Sequence, residues 1–252
     1  MRSPSKILAI AVFTVTCSIT ALGGCGGASD SAPGPLGKRF DDMYIAAVPL
    51  DQKQSVVQSQ NDWSLAKMQN AKAEADLNES TTQISIVRNE QKASKLAVES
   101  AIANKKAAEA SADTNRMNQA AKDLHNAEAL SKAAEARVKY YDAYRGYLTR
   151  VLRHTQENMY WREAQYESAK AQLGQKNGIA PKGVAYDSFP KQEQERAKRE
   201  ASARSRVESE RSRAMTARDS WRRAQDSADR DSGRPSSLPD PMATSGATSS
   251  SS

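Results

Sequence analysis

Two cysteines, Cys17 and Cys25, and two histidines, His125 and His154, are the side chains of this 252-residue sequence best suited to chemistry near neutral pH. A thiolate is a nucleophile and a metal ligand, and an imidazole exchanges protons or binds a metal. Neither histidine sits in a ligand motif such as HExxH, and both fall in stretches that read as helix, so each is expected as a solvated or seam residue. Asp187-Ser188 has no histidine near it in sequence and reads as a cap or turn. No glycine-rich loop that would cradle phosphate occurs. The expectation is a chain that is not an enzyme, with no metal site and no cofactor. Cys25 stands apart through its context, because Leu22-Gly23-Gly24-Cys25 follows directly on an apolar run.

That run belongs to a three-part export signal. Arg2 and Lys6 give a positive start, Ile7 to Ile19 an apolar stretch of about 13 residues, and small residues follow. A membrane span needs roughly 20 apolar residues, so the segment is expected to be cut away. Leu22-Gly23-Gly24-Cys25 resembles the lipobox of bacterial lipoproteins, a likeness confined to about residues 1–27. Gly23 and Gly24 suit a narrow processing site because a backbone without Cβ atoms lies flat. The resemblance implies a diacylglyceryl thioether on Cys25, cleavage just before it and palmitate-type acyl chains in the membrane. One chain anchors only marginally, whereas two or three hold a protein there essentially permanently. Gly26 and Gly27 replace the Asp that retains many lipoproteins at the inner membrane, which favours the outer membrane, facing the periplasm, in a host that has one. With Cys17 lost in the signal, Cys25 is the single remaining cysteine, and no disulfide or cysteine-based metal site is expected.

Composition points to long helices. Aromatic residues make up 6% of the chain, mean hydropathy is −0.74, and Ala, Lys, Arg, Glu and Gln dominate. The formal charge of +7 has both signs interleaved, the mark of a solvated helix surface. Between Asp51 and Leu173 there is no proline and one glycine, Gly146. Since Pro costs about 3 kcal/mol and Gly about 1 kcal/mol inside a helix, residues 51–176 are expected to be helical, from a start at Asp51 to a stop at Asn177-Gly178. As a single rod they would extend roughly 185 Å.

Register argues for an interruption. One heptad phase, thin in apolar content, runs through Val56, Trp63, Asn70, Leu77, Ile84, Gln91 and Val98, with Ala66, Ala73, Val87 and Ala101 beside it. A second runs through Met117, Leu124, Ser131, Val138, Arg145, Leu152, Met159, Tyr166 and Leu173, with Ala120, Ala127, Ala134, Tyr141, Leu148, Thr155, Arg162 and Ala169 beside it. The two phases do not join, and a turn within 103–116 would separate them, where Ser111, Asp113, Thr114 and Asn115 favour caps. An antiparallel hairpin with arms of nearly equal length and a continuous helix with a stammer are both open at this point.

A third helix is expected over 190–230, capped by Ser188 or Asp187 after a loop at 177–189, with Val207, Ala214, Trp221 and Ala228 at heptad spacing. It holds 12 basic and 8 acidic residues between Lys191 and Arg230. Tyr140, Tyr144, Tyr147 and Val151 form one stripe and Tyr141, Leu148, Leu152 and Met159 another, so this region needs neighbours on two sides. Tyr140, Tyr144, Tyr147, Tyr160 and Trp161 are read either as bundle core with hydroxyls at its edge or as a partner-binding patch. Residues 25–50 are expected as a flexible tether ending in the apolar segment Asp41 to Pro49, a short helix or a docking strand, and 231–252 as a disordered Ser/Pro-rich tail.

The fold class expected is therefore all-α: an elongated coiled coil or antiparallel hairpin, a third C-terminal helix packed on it, and disordered flanks. The function expected is that of a lipid-anchored cell-envelope protein with a structural or interaction role, associating with itself or with an envelope partner. Alternatives are a helical-arm chaperone holding unfolded envelope proteins and an accessory subunit of an export or efflux assembly. Export excludes nucleic acid as the partner of the arginine-rich helix 190–230 and leaves anionic envelope polymers as the polyanions it could meet.

Overall fold

The computed structural model describes residues 32–244, so Leu22, Gly23, Gly24 and Cys25 lie outside the described residues. Three long helices carry the fold: α1 (Gln54–Ala110), α2 (Thr114–Lys176) and α3 (Ser188–Ser232). Among the described residues there is no strand. The chain is all-α and takes the hairpin form, with α1 and α3 both packed on α2. At 63 residues α2 is about 95 Å long. Both neighbours run antiparallel to it. Arg88 meets Asp142 at 2.9 Å and Thr155 meets Asn70 at 3.2 Å along α1, while His154 meets Glu200 and His125 approaches Asp231 along α3.

The hairpin turns where the two heptad phases fall out of step. Ser111 and Ala112 donate their N–H groups back to Ala108 and Glu109, and Ala112 takes φ 51, in the left-handed region. A residue with a Cβ loses about 1 kcal/mol there. Asp113 then starts α2 as its N-cap, its carboxylate accepting from the N–H groups of Asn115 at 2.9 Å and Arg116 at 3.2 Å. At its other end α2 closes on Gly178, φ 67, with Ile179 N–H bonded to the Gly174 carbonyl at 3.0 Å.

Burial follows the heptads. In α1 the rows Val56, Ile84 and Ala66, Ala73, Ser80, Val87, Ala101, Ala108 are buried, with Trp63 and Leu77 half-buried between them. In α3 the buried residues are Glu200, Ala203, Val207, Ala214, Trp221 and Ala228, after Phe189 at the start. The central helix buries two faces, which is why its middle is apolar on more than one side.

Both flanks depart from expectation. The segment expected as tether is docked by Leu36: Leu36, Phe40, Ile45 and Val48 are buried, and Arg196 donates to the Gly34 carbonyl at 2.9 Å. Of the two forms open for Asp41 to Pro49 the short helix is the one found, as a 3-10 helix at Asp42–Ile45, and a second at Leu50–Lys53 leads into α1. The described part of the expected disordered tail, to residue 244, is ordered as well. α3 runs on to Ser232 and closes on Gly233 at φ 67, after which the chain folds back to a short helix, Pro241–Thr244. Single anchors, Phe40 at one end and Asp240 at the other, hold these segments, and periodicity carries no trace of a single anchor.

Candidate interaction site on the central helix

The aromatic zone of α2 is built by heptad geometry. Tyr140 meets Trp221 of α3, and Tyr141, Tyr144 and Leu148 share a core cluster with Ile84 and Val87 of α1, so the zone fills the core on both sides of the central helix. Tyr140 stacks on Trp221, with centroids 5.4 Å apart and planes 9° off parallel. Its hydroxyl donates to Asp240 at 2.7 Å, and the Tyr141 hydroxyl donates to the Pro239 carbonyl at 3.1 Å. Asp240 also receives Arg218 at 2.6 Å and Arg222 at 2.7 Å, which latches the C-terminal segment across α2 and α3. Burial, and then the neighbouring Asp240 carboxylate, push the Tyr140 hydroxyl well above its ordinary range, so it stays a proton donor.

Beside the latch an open groove of about 690 Å³ runs between α1 and α2. Its apolar side comes from Val87, Tyr141, Tyr144, Tyr147 and Leu148; Lys72, Glu79, Glu90 and Arg137 supply charge, and Leu238 to Pro241 form a wall. Arg137 pairs with Glu90 and lies 5.4 Å from the Tyr141 ring centroid. Buried Ser80 Oγ and Arg137 Nε, both on residues lining this groove, have no hydrogen-bond partner in the structure.

One to two turns further along, α2 changes character. Glu157, Glu163, Glu167 and Lys170 are all buried. Glu157 accepts from Arg153 at 2.8 Å and from Arg199 at 3.0 Å. Arg39 meets Glu163 at 2.7 Å, Lys170 bridges Glu167 at 3.0 Å and Asp42 at 2.9 Å, and Phe40 N–H donates to Glu167. Burial raises the Glu163 carboxyl above the usual range against the pull of Arg39. The hydrogen bond from Lys170 lowers that of Asp42. This charged zone receives the N-terminal segment, Phe40 packing against Phe189 and Tyr186 above Gly174.

The five residues of the candidate patch do not form one surface. Tyr140 and Tyr144 are buried, and Tyr147 borders the groove. Tyr160 and Trp161 are half-buried under Arg196 and Arg162, at 5.4 and 4.5 Å from the ring centroids. His154 is tied to Glu200 at 2.8 Å, and exposed His125 lies 3.7 Å from Asp231. Asp187 accepts from Lys191 at 2.6 Å, which lowers its pKa, and Ser188 donates to the Ala185 carbonyl. No group of three or more His, Cys, Asp or Glu placed to hold a metal ion occurs among the described residues. Sequence reasoning missed the Asp240 latch and the charged zone. An Asp between two prolines was a signal for the first, and the run Glu157, Glu163, Glu167, Lys170 on a helix already apolar on two sides for the second.

The class these features define is an antiparallel three-helix bundle with docked terminal segments. No family model, curated protein or solved structure matches the chain.

Proposed function

We propose that this is a lipid-anchored cell-envelope protein, attached through Cys25, whose helical bundle has a structural and protein-interaction role without catalysis. The observation that carries the anchor is Leu22-Gly23-Gly24-Cys25 directly after an export-type signal. No helix among the described residues is long and apolar enough to cross a membrane, so these helices supply no anchor of their own. The interaction role draws support from the way chemically capable side chains are used. His154, Asp187, Ser188, Asp240 and the carboxylates of the charged zone all serve in pairs, turn bonds or latches within the bundle. The helical-arm chaperone reading gains no such support, because α1 and α2 lie against each other and fill the space that separated arms would leave.

The test is metabolic labelling with an alkynyl fatty acid in a bacterial host, comparing the native chain with Cys25→Ser. The native chain should carry label and sediment with membranes, and an inhibitor of the lipoprotein signal peptidase should leave the larger precursor. Cys25→Ser should carry no label. An unlabelled native chain in the soluble fraction would remove the anchor from the proposal.

A further inference from the structure

The end of the bundle where the N-terminal segment docks is apolar on its outside. Leu50 and Met43 are 81% and 72% exposed, the highest values for large apolar side chains among the described residues, and Tyr44, Ala46, Ala47 and Pro49 are exposed between them. From Met43 to Leu50 there is no charged residue, and from Asn177 to Tyr186 there is one, Lys182. The two stretches cap the same end, since Ile45 and Val48 of the first lie in a buried cluster against which Ile179, Val184 and Tyr186 of the second are packed. Burying Ile45 and Val48 in so short a segment leaves Met43, Tyr44 and Leu50 facing out. The hairpin turn at the opposite end of α2, about 95 Å away, provides the contrast. There the apolar residues of 107–116 are all alanines, accompanied by Glu109, Asp113 and Arg116. Single exposed apolar residues need no explanation, but the two most exposed ones on one uncharged cap do.

We propose that this cap rests on the surface of an anionic phospholipid bilayer, with Met43, Tyr44 and Leu50 entering the head-group region and the lysines around them meeting lipid phosphate. The length of chain outside the bundle decides the occupant. Cys25 precedes Ala32 by seven residues, which reach at most about 25 Å when extended. By Gly34 the chain is held on α3 through Arg196, eight residues from the start of that helix at Ser188. An acylated Cys25 therefore keeps this end, and not the hairpin turn, within reach of the membrane. Charge agrees with that occupant. Residues 36–53 and 176–191 hold six basic and four acidic residues. Of the acids, Asp42 is paired with Lys170 at 2.9 Å and Asp187 with Lys191 at 2.6 Å, whereas Lys38, Lys176 and Lys182 are exposed. Shallow apolar side chains beside lysines suit a lipid surface, where burial of the first and attraction of the second act together, and tyrosine is at home at head-group level. The docking rests on the lipid anchor proposed above, adds a second contact to it, and stands the hairpin turn away from the surface.

The test uses the full-length chain expressed in a bacterial host, purified and reconstituted in vesicles of phosphatidylethanolamine and phosphatidylglycerol whose acyl chains carry a photoreactive diazirine close to the head group. After irradiation and trypsin digestion, mass spectrometry should find lipid adducts on peptides 40–53 and 177–182 and none on 107–116. Met43→Ser combined with Leu50→Ser, both at exposed positions, should lower the adduct on 40–53 about tenfold, with circular dichroism and sedimentation with the vesicles unchanged. The mass of the peptide containing Cys25 reads the anchor separately. An acylated chain without these adducts, with equal adducts on 107–116, or with adducts that survive the double substitution overturns the docking and leaves the anchor standing. Adducts on 40–53 and 177–182 of a chain whose Cys25 is unmodified overturn the anchor and leave the docking standing. An unmodified chain without adducts overturns both.

Discussion

Two neighbouring stretches of α2 hold the same helix, α3, by opposite means. From Arg137 to Leu148 the contact is volume, with Tyr140 stacked on Trp221. From Arg153 to Lys170 it is charge: Glu157 between Arg153 and Arg199, and His154 against Glu200. The difference separates adhesion from register. The α3 seam repeats small residues every seven positions, so its alanines alone would accept a slide of one heptad. Such a slide would carry Trp221 off Tyr140; in one direction it would put Val207 in place of Glu200 beside His154, and in the other Gln192 in place of Arg199 beside Glu157. Rings supply most of the burial energy, and ion pairs penalise the alternatives.

The sharpest way to break that contrast is to remove the ring. Trp221→Ala should cost about 3–5 kcal/mol of stability, read by urea unfolding with circular dichroism, and Trp221→Phe should recover part of it. A loss below about 1 kcal/mol would mean that the aromatic stretch is not what holds α3. In the charged stretch, Glu157→Gln should cost about 2–3 kcal/mol, because the bonds from Arg153 and Arg199 lose the charge of their buried Glu157 acceptor while both arginines keep some access to water. Replacing Glu157, Arg153 and Arg199 together by Leu should restore most of that loss. If the triple variant is as unstable as the single one, the pairs contribute adhesion as well as register.

The aromatic stretch was legible in the sequence and the charged stretch was not, for a physical reason. Val207, Ala214, Trp221 and Ala228 recur every seven residues, and a period is a local property that survives without knowledge of partners. The two tyrosine stripes gave the need for neighbours on both sides of α2. The break between heptad phases located the turn, while its three residues, Ser111 to Asp113 with no Gly or Pro, left the continuous helix open. Glu157, Glu163 and Lys170 read as surface because charged residues are almost never buried unless paired, and their partners Arg199, Arg39 and Asp42 lie far away in sequence. The docking of Leu36 and Phe40 and the Asp240 latch are equally non-local. Of the candidate patch, Tyr140 and Tyr144 are buried, and Tyr144 and Tyr147 line the groove.

A smaller effect tests how the charged stretch closes over the N-terminal segment. A Cβ added to Gly174 would stand 2.7 Å from Phe40 Cζ and 3.3 Å from its Cε1. Alanine should stabilise the helix itself by about 1 kcal/mol, yet overpacking costs about 1–3 kcal/mol, so Gly174→Ala should be net destabilising by about 1 kcal/mol. Protease cleavage between Leu36 and Ile45 should become faster. Phe40→Leu, which removes the ring edge, should turn the same glycine substitution into a gain. If Gly174→Ala stabilises the chain with Phe40 intact, the segment is held by Arg39–Glu163 and Lys170–Asp42 rather than by its aromatic plug.

At the aromatic end the smallest effect is a local one, and its sign follows from Asp240. Burial is the largest influence on this carboxyl and acts to raise its pKa, but the hydrogen bond from Tyr140 and the pairing with Arg218 and Arg222 outweigh it and hold it below the usual range. The docked segment therefore binds fewer protons than the released one. Docking is fully supported above the ordinary Asp value of about 3.9 and is lost as pH falls through the lower, docked value. Limited proteolysis at 234–244 should be slow and unchanging from about pH 8 to about pH 5, and fast well below about pH 4. The three long helices should keep their circular dichroism signal through the first part of that change. Asp240→Asn should be cleaved quickly at every pH. Release at a pH well above the ordinary carboxylate range would instead take control of this segment away from the tyrosine-arginine latch.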